Sequence, residues 1–220
     1  KNNCSNFQNE IYEYIKLTIG NSIDIKLNDR TILSPKELDI IIPSLNIAFE
    51  CDGVLWHSEC FGHKNKTYHL QKTSKCISHG IKLIHIFDNE WRNKQKIVKS
   101  VITSTLRKNT NIIYGRTCKI KEISPRICVD FLNENHLQGT DHSSIKLGLF
   151  DETNQILSVM TFLKSRFDSK IQYEMGRFCN KIGLTVVGGA SKLFSFFLKK
   201  YNPTSVVSYN DRRYFDGQVY

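Results

Sequence analysis

The segment ELDIIIPSLNIAFECDG (37–53) constrains the fold most strongly, because it predicts a β-hairpin that holds two acidic side chains. Two runs of β-branched and apolar residues flank the turn Pro-Ser-Leu-Asn. A four-residue loop pairs Ile42 with Ile47, and the same register places Asp39 opposite Glu50. Like charges directly opposite each other destabilise a sheet, and partial burial increases the cost. The alternative is a shifted register that leaves one of the acids in solvent.

A divalent cation between the two carboxylates would make their proximity favourable, so we expect a Mg²⁺ (or Mn²⁺) site at Asp39 and Glu50. Asp52 follows at the end of the same strand. His69 and Lys72 are neighbours at i and i+3 on the next predicted helix, 64–79, and can reach a common point. Histidine suits proton transfer because its unperturbed pKa lies near neutrality. The remaining histidines nearby, His79 and His85, are interpreted as structural.

The first helix is predicted to begin after Ser5, whose spacing to Gln8 is typical of a capping box, and to run to Ile19. The residues expected on its buried stripe are Phe7, Ile11, Tyr14 and Thr18. Glu10 is predicted to lie on this stripe as well. An acid there is either a residue at the edge of the core or part of an active-site wall.

Charge and composition limit the class of protein and of partner. The formal net charge is +10, which favours an acidic partner, and double-stranded DNA is the one that we expect. No apolar run is long enough to span a bilayer, and no basic amphipathic helix stands out. The seven cysteines form no CxxC pair, which favours a reducing compartment, and we expect a cytoplasmic protein.

The order helix, hairpin, helix, strand in the first half predicts an α/β layer arrangement. The buried strand is IKLIHIF (81–87), and a further helix is expected from about 94 to 107. The polar segment RKNTNIIYG (107–115) predicts a domain boundary, so we divide the chain into domains 1–112 and 113–220. Beyond it the pattern restarts.

The predicted elements of the second half are a helix at 125–135, strands at 145–150, 156–162 and 172–179, a glycine loop entering a helix, and a strand at 205–209.

The first half resembles the PD-(D/E)XK nuclease superfamily. The similarity lies in SPKELDIIIPSLNIAFECDGVLWHS and YHLQKTSKCISHGIKLIHIFDNEW, and covers about residues 5–107. It is closest to the branch of very-short-patch-repair endonucleases and similar phage homing endonucleases. The resemblance implies a restriction-endonuclease-like core in which Asp39, Glu50 and the Cys51 carbonyl bind metal. It also implies that Glu10 is the acid of the first helix and that His69 is a catalytic histidine.

This chain departs from the superfamily pattern at Asp52, which stands where many members have a lysine two residues after the glutamate. Either Lys72 takes the place of that lysine or the histidines do, and Asp52 and Lys72 are both included among the candidate catalytic residues. The repair enzymes also have a histidine-rich stretch after the equivalent Trp, where this chain has only His57. We therefore expect a homing-type nuclease encoded by a phage or mobile element, acting in the cytoplasm of its host cell, and not a mismatch-repair enzyme.

Structural zinc is an alternative that we do not favour. The residues that raise it are His57, Cys60, His63 and Cys76. Their H-x2-C-x2-H spacing fits no standard four-ligand pattern, and free cysteines on a packed helix are the ordinary explanation.

The segment RFCNKIGLTVVGGASKLFSFFLKKY (177–201) resembles the core of a GNAT-type acyltransferase, most closely the Mom-like branch found in phage DNA-modification proteins. The resemblance implies that the glycine pair Gly188–Gly189 holds the pyrophosphate of coenzyme A at a helix N-terminus. The alternative, which we favour over a coenzyme A site, is that the glycines only make a tight turn and that the domain is a DNA-binding platform.

Two basic and aromatic segments of the second half, LKSRFDSK (163–170) and NDRRYF (210–215), could contact phosphates and stack on bases. The residues assigned to DNA binding in the whole chain are Arg30, Lys164, Arg166, Arg212 and Arg213. The predicted function is metal-dependent DNA endonuclease. The alternatives are an acyl-CoA-dependent modification enzyme and a non-catalytic DNA-binding module.

Overall fold

Helices and strands are interspersed along the chain in two separate groups, so the protein belongs to the mixed α/β class. The structure is a computed structural model that describes residues 5–53 and 68–214. It divides into two units, Lys1–Lys108 and Asn109–Tyr220, so the division falls within the segment 107–115 where the sequence predicts a boundary. Within the described part of the chain, no helix combines the length and apolar character that crossing a membrane requires.

The first unit contains a four-stranded sheet. Its elements are α1 (Asn6–Ile19), β1 (Lys26–Asp29), β2 (Leu38–Ile42), β3 (Ile47–Asp52), α2 (Tyr68–Ser78), β4 (Lys82–Phe87), α3 (Asp88–Asn93) and α4 (Gln95–Thr105). The strand order is β1-β2-β3-β4, with β1–β2 and β2–β3 antiparallel and β3–β4 parallel. A parallel neighbour needs a long crossover, and the chain from β3 to β4 passes through α2.

The hairpin between β2 and β3 is closed by a short 3₁₀ turn, Pro43–Leu45. Asn46 follows it with a φ of 54°, in the left-handed region that asparagine tolerates better than most residues. Ile42 pairs with Ile47 directly beyond the turn, which confirms the register predicted from the loop length.

The face of the sheet that α2 covers has an apolar core. Cys76 of α2 packs there with residues of three strands, namely Ile41, Ala48 and Leu83. Because side chains alternate along a strand, Asp39, Glu50 and Asp52 share the face of Ile41 and Ala48.

The second unit contains a five-stranded sheet of order β11-β9-β8-β7-β6 and a separate parallel pair, β5 and β10. Its elements are β5 (Asn111–Tyr114), β6 (Lys119–Glu122), α5 (Pro125–Asn135), β7 (Ile145–Phe150), β8 (Ile156–Lys164), β9 (Tyr173–Asn180), β10 (Leu184–Val187), α6 (Gly189–Tyr201) and β11 (Val206–Ser208). In the core, Phe197 of α6 stacks on Phe162 of β8 with ring centroids 3.6 Å apart. Leu132 of α5 packs against Val159 of the same strand.

Three differences from the sequence prediction concern short or polar elements. The helix expected at 94–107 is α4 (Gln95–Thr105), and the short α3 (Asp88–Asn93) that precedes it was not predicted. The short strands β1, β5, β6 and β10 were not predicted, because segments of four residues are too short to show a clear alternation. The helix expected at 64–79 is described from Tyr68 to Ser78, and residues 64–67 lie outside the described part of the chain.

Candidate functional site

The end of the β2–β3 hairpin brings two carboxylates together. Asp39 is the next residue in register opposite Glu50, and its backbone N–H donates to Glu50 Oε1 at 3.3 Å. Asp39 Oδ2 accepts a hydrogen bond from the backbone N–H of Cys51 at 2.8 Å. The alternative of a shifted register that leaves one acid in solvent is therefore wrong.

Burial makes the ionised form of this pair costly. Glu50 is 5% exposed, and burial followed by the negative charge of Asp39 raises its pKa to about 8. Burial also raises the pKa of Asp39, while the hydrogen bond from Cys51 lowers it. A divalent cation favours both carboxylates in their charged form, so the electrostatics and the oxygen donors fit Mg²⁺ or Mn²⁺.

Lys72 of α2 forms an ion pair with Glu50 inside the protein. Its Nζ contacts Glu50 Oε2, and both side chains are buried. Lys72 thus approaches the glutamate from a helix, while Asp52 occupies the strand position two residues after it. Of the two alternatives for the missing strand lysine, the structure brings Lys72 to the glutamate.

Asp52 contacts two histidines from different elements. Its Oδ2 lies 2.8 Å from Nδ1 of His85 on β4, and its Oδ1 lies 3.8 Å from Nδ1 of His69 on α2. Nε2 of His85 lies 3.0 Å from the hydroxyl of Thr73. The structure therefore brings His69 together with Asp52, and Lys72 with Glu50, on one face of the sheet.

His85 is a site residue that sequence reasoning missed. It was interpreted as structural because it lies inside an apolar strand. In the structure it is the parallel-strand partner of Glu50, so both side chains point to the face that α2 covers. The alternation of side chains along the strand could have revealed it, because His85 lies two positions after Leu83, a residue of that apolar core, and so shares its side of β4.

The prediction that Glu10 lies on the buried stripe of α1 is wrong. The buried residues of α1 are Gln8, Ile11, Ile15 and Ile19, and Glu10 is exposed, accepting a hydrogen bond from Trp91 Nε1 at 2.7 Å.

Gln8 is the residue of α1 that contacts the site. Its side-chain amide donates to the Asp39 carbonyl at 3.0 Å and to Asn28 Oδ1 at 2.9 Å. Residues two apart on a helix do not face each other, so Gln8 and Glu10 point in different directions. The signal that was missed is that Gln8 lies on the same face of the helix as Ile11, Ile15 and Ile19.

The residues considered for structural zinc are mostly not described. His57, Cys60 and His63 lie outside the described residues. Cys76 is fully buried in the apolar core under α2, and burial raises the pKa of its thiol to about 11. A thiol that remains protonated at neutral pH is a structural core residue here.

Three of the five arginines and lysines assigned to DNA binding form ion pairs in the structure. Arg30 pairs with Glu37, Arg166 with Glu174, and Arg213 with Asp211. The other two, Lys164 and Arg212, are exposed. Exposed cations are the better candidates for phosphate contacts, because a paired arginine must first give up its carboxylate.

Backbone conformation at Gly188 and close packing at Gly189 account for the two glycines before α6. Gly188 has a φ of 72°, in the left-handed region that favours glycine. A Cβ on Gly115 would lie 3.0 Å from the Cα of Gly189, so the two backbones approach too closely for a side chain. Lys192 of α6 donates to the carbonyls of Arg116 and Cys118 and so joins the helix to the same turn.

Comparisons of the chain with protein-family models, with curated proteins and with solved structures find no match.

Proposed function

We propose that the protein is a metal-dependent endonuclease that hydrolyses phosphodiester bonds of double-stranded DNA. The observation that supports it best is the group formed by buried Glu50 and Lys72 with half-buried Asp39. Two adjacent carboxylates with a lysine directed at one of them, next to the carbonyl of Cys51, form a donor set suited to a hard dication beside a phosphate. The restriction-endonuclease-like arrangement of the first unit and the homing-type biology are part of the same proposal.

In this proposal Asp39, Glu50 and the Cys51 carbonyl hold the cation. A bound Mg²⁺ or Mn²⁺ supplies charge neutralisation at the phosphate and acidifies a water ligand. Gln8 fixes the backbone of Asp39 through the hydrogen bond to its carbonyl. Lys72 keeps the Glu50 carboxylate in place and adds a positive charge next to it.

His69 is the proposed proton-transfer residue. Its side chain is 33% exposed, whereas the Asp52 carboxylate beside it is buried, so His69 can reach both the acid and solvent. A carboxylate next to an imidazole stabilises the protonated ring and orients it. Glu10, which is exposed and bonded to Trp91, is not part of this mechanism.

The second unit is proposed as a DNA-binding platform and not as an acyltransferase. Backbone conformation and packing explain the glycine pair, and exposed Lys164 and Arg212 extend the basic character of the chain. The formal net charge of +10 favours a polyanionic partner and steers it towards the protein.

Cleavage of supercoiled plasmid in Mg²⁺, in Mn²⁺ and in EDTA tests the nuclease proposal. Asp39→Asn and Glu50→Gln keep the side-chain shape but remove the charges. Each should lower the cleavage rate by more than about 100-fold. Loss of a residue that only hydrogen-bonds to a metal ligand already lowers metal affinity or activity by about 10–100-fold. Glu13→Gln changes an exposed acid of α1 and should cut like the parent. The proposal is wrong if both site variants, folded by circular dichroism, cut as fast as Glu13→Gln.

A further inference from the structure

A second group of metal-ligating side chains lies beside the carboxylate pair. One ligand atom from each of Asp52, His69 and His85 lies within 4.8 Å of the other two. We propose that these three residues bind one divalent first-row transition-metal ion, at a site separate from the Mg²⁺ site of Asp39 and Glu50. This inference does not depend on the nuclease proposal, and an ion bound there would take Nδ1 of His69 out of the proton transfer proposed above.

Both histidines present the same ring nitrogen to the same carboxylate. Nδ1 of His85 lies 2.8 Å from Asp52 Oδ2, and Nδ1 of His69 lies 3.8 Å from Asp52 Oδ1. Ligand atoms about 2.0–2.2 Å from a common zinc ion lie roughly 3–3.6 Å apart in a tetrahedral arrangement. The observed separations lie on either side of this range, so small side-chain movements suffice to place an ion between the three residues.

Thr73 completes the arrangement from outside. Its hydroxyl lies 3.0 Å from His85 Nε2, the ring nitrogen opposite the one that faces Asp52. The 2.8 Å contact of His85 Nδ1 with Asp52 is a hydrogen bond that needs a proton between the two atoms. An ion bound at Nδ1 would replace that proton, and Nε2–H would then donate to Thr73. A metal-bound histidine typically donates its other ring N–H to such an oxygen, which fixes the tautomer and the ring plane.

Burial favours a specific site over a loose surface contact. Asp52 is 2% and His85 3% exposed, and the rings of His69 and His85 meet edge to face with centroids 5.2 Å apart. Asp52 and His85 are held by two paired strands and His69 by the helix across them. The side chain of His69, 33% exposed, is the member of the group that reaches solvent.

The donor atoms distinguish this site from the carboxylate pair. Two imidazoles and a carboxylate suit Zn²⁺, Co²⁺ or Fe²⁺, whereas Mg²⁺ and Mn²⁺ prefer oxygen ligands. Because Asp39 and Glu50 offer oxygen only, the two sites should differ in the metal that they select.

Titration of the tag-free full chain with Co²⁺, in excess Mg²⁺ and without DNA, tests the proposal by visible absorption and calorimetry. We expect one Co²⁺ per chain, displaced by Zn²⁺ and not by Mg²⁺. His69→Gln and His85→Gln should each lower the affinity by at least about 100-fold, and Thr73→Val by about 10–100-fold. Asp39→Asn should keep the stoichiometry even if it abolishes DNA cleavage, which separates this result from a failure of the nuclease proposal.

His79→Gln is the matched control, because His79 lies at the exposed end of the same helix and contacts the Lys75 carbonyl. His85 is buried and its variant can unfold the protein, so His69→Gln, half-exposed, decides the matter if His85→Gln loses its circular dichroism signal. Unchanged Co²⁺ affinity in folded His69→Gln would overturn the proposal, as would loss of the ion in Asp39→Asn. A thiolate-to-cobalt charge-transfer band would also overturn it, because the ion would then be bound by cysteine.

Discussion

Each unit of the protein buries a glutamate that pairs with a basic side chain, and the pKa values of the two glutamates are shifted in opposite directions. Glu50 of the first unit is 5% exposed and Glu174 of the second is 2% exposed. Burial and Asp39 raise the pKa of Glu50 to about 8, even though Lys72 contacts it. Hydrogen bonds from Arg166 hold the pKa of Glu174 below its usual value.

The difference arises from what surrounds each pair. Arg166 donates to both carboxylate oxygens of Glu174, and its own side chain is 53% exposed, so the arginine stays hydrated. Lys72 makes one contact to Glu50 and is itself buried, and a second carboxylate, Asp39, lies next to the pair. A basic partner therefore does not by itself stabilise a buried acid. The first unit retains an electrostatic cost that a cation would remove, and the second does not.

Replacing the basic partner in each unit should give the largest difference between them. At a pH above about 8, where native Glu50 is ionised, Lys72→Met leaves that charge buried beside Asp39 and should destabilise the first unit by about 3 kcal/mol. Arg166→Met should cost the second unit only about 1 kcal/mol, because that ion pair reaches solvent. Urea unfolding followed by tryptophan fluorescence measures the first unit alone, since Trp56 and Trp91 both belong to it. Hydrogen exchange in β9 measures the second.

Lys75→Met is the control for helix propensity and surface charge, because Lys75 is exposed on the same helix. At the same pH, a loss of stability in Lys72→Met no larger than in Lys75→Met would mean that Lys72 does not stabilise the ionised Glu50 carboxylate.

The two glutamates should give the units opposite pH dependences. Between pH 4.5 and about 8 native Glu50 holds a proton that the unfolded chain has lost, so the stability of the first unit falls as the pH rises. Because the charge of Lys72 partly stabilises ionised Glu50, the free energy of unfolding should fall by only on the order of 2 kcal/mol over this pH range. The pKa of native Glu174 lies below its usual 4.5, so its contribution is complete above pH 4.5 and is lost as the pH falls further.

Glu50→Gln should remove most of the slope between pH 4.5 and 8, and millimolar Mg²⁺ should reduce it in the parent, because the cation binds the ionised pair. The measurement is the urea midpoint of tryptophan fluorescence at several pH values. A slope that is the same in the parent and in Glu50→Gln would assign it to another group.

The two units also differ in why a glycine is needed. Steric crowding requires it at Gly115, and backbone conformation requires it at Gly80. Gly115→Ala should destabilise the second unit by about 1–2 kcal/mol, because the new methyl group would meet the backbone of Gly189. Gly80 of the first unit has open space but a φ of 70°, so Gly80→Ala should cost about 1 kcal/mol through strain alone.

Asparagine separates the two causes in thermal melts. Gly80→Asn should recover much of the stability, because asparagine tolerates the left-handed region, whereas Gly115→Asn should be worse than Gly115→Ala. Equal behaviour of the two asparagine variants would refute the close backbone approach as the reason for Gly115.

The smallest expected effect concerns nonspecific DNA binding. The double variant Lys164→Ala, Arg212→Ala should lower the slope of log affinity against log salt concentration by about 2, roughly one for each phosphate that is no longer neutralised. Arg30→Ala and Arg213→Ala should change it less, because Glu37 and Asp211 already pair with these arginines. Fluorescence anisotropy with a short duplex at several salt concentrations measures the slope, and a larger change for the paired arginines would reverse the assignment.

The parts of the site that depend on neighbouring sequence were predictable. The proline turn fixes the pairing of Ile42 with Ile47, and Asp39 follows opposite Glu50 further along the same hairpin. The spacing of His69 and Lys72 correctly places both on one helix. Their separate partners, Asp52 and Glu50, could not be assigned, because the spacing predicts a common point and not two contacts.

The errors come from phase and from long-range pairing. The buried stripe of α1 was placed on Phe7 and Tyr14. Gln8 was overlooked because the hydrophobic pattern of a sequence does not identify a buried polar residue. His85 lies far from Asp52 in sequence, and only the parallel register of β3 and β4 brings them together. The pairing of Arg166 with Glu174 likewise requires the β8–β9 register.

The alternation of β3 has a consequence for how this protein tolerates insertions and deletions. Glu50 and Asp52 point to the side of α2 because they lie two and four positions after Ala48, which packs in the core on that side. One residue added between Ala48 and Glu50 would turn both carboxylates to the opposite face, with no change in composition or charge elsewhere. Length changes in the connections between strands leave this parity intact. The chemistry of the face therefore depends on an odd-or-even count, which substitutions cannot alter and a single inserted codon can.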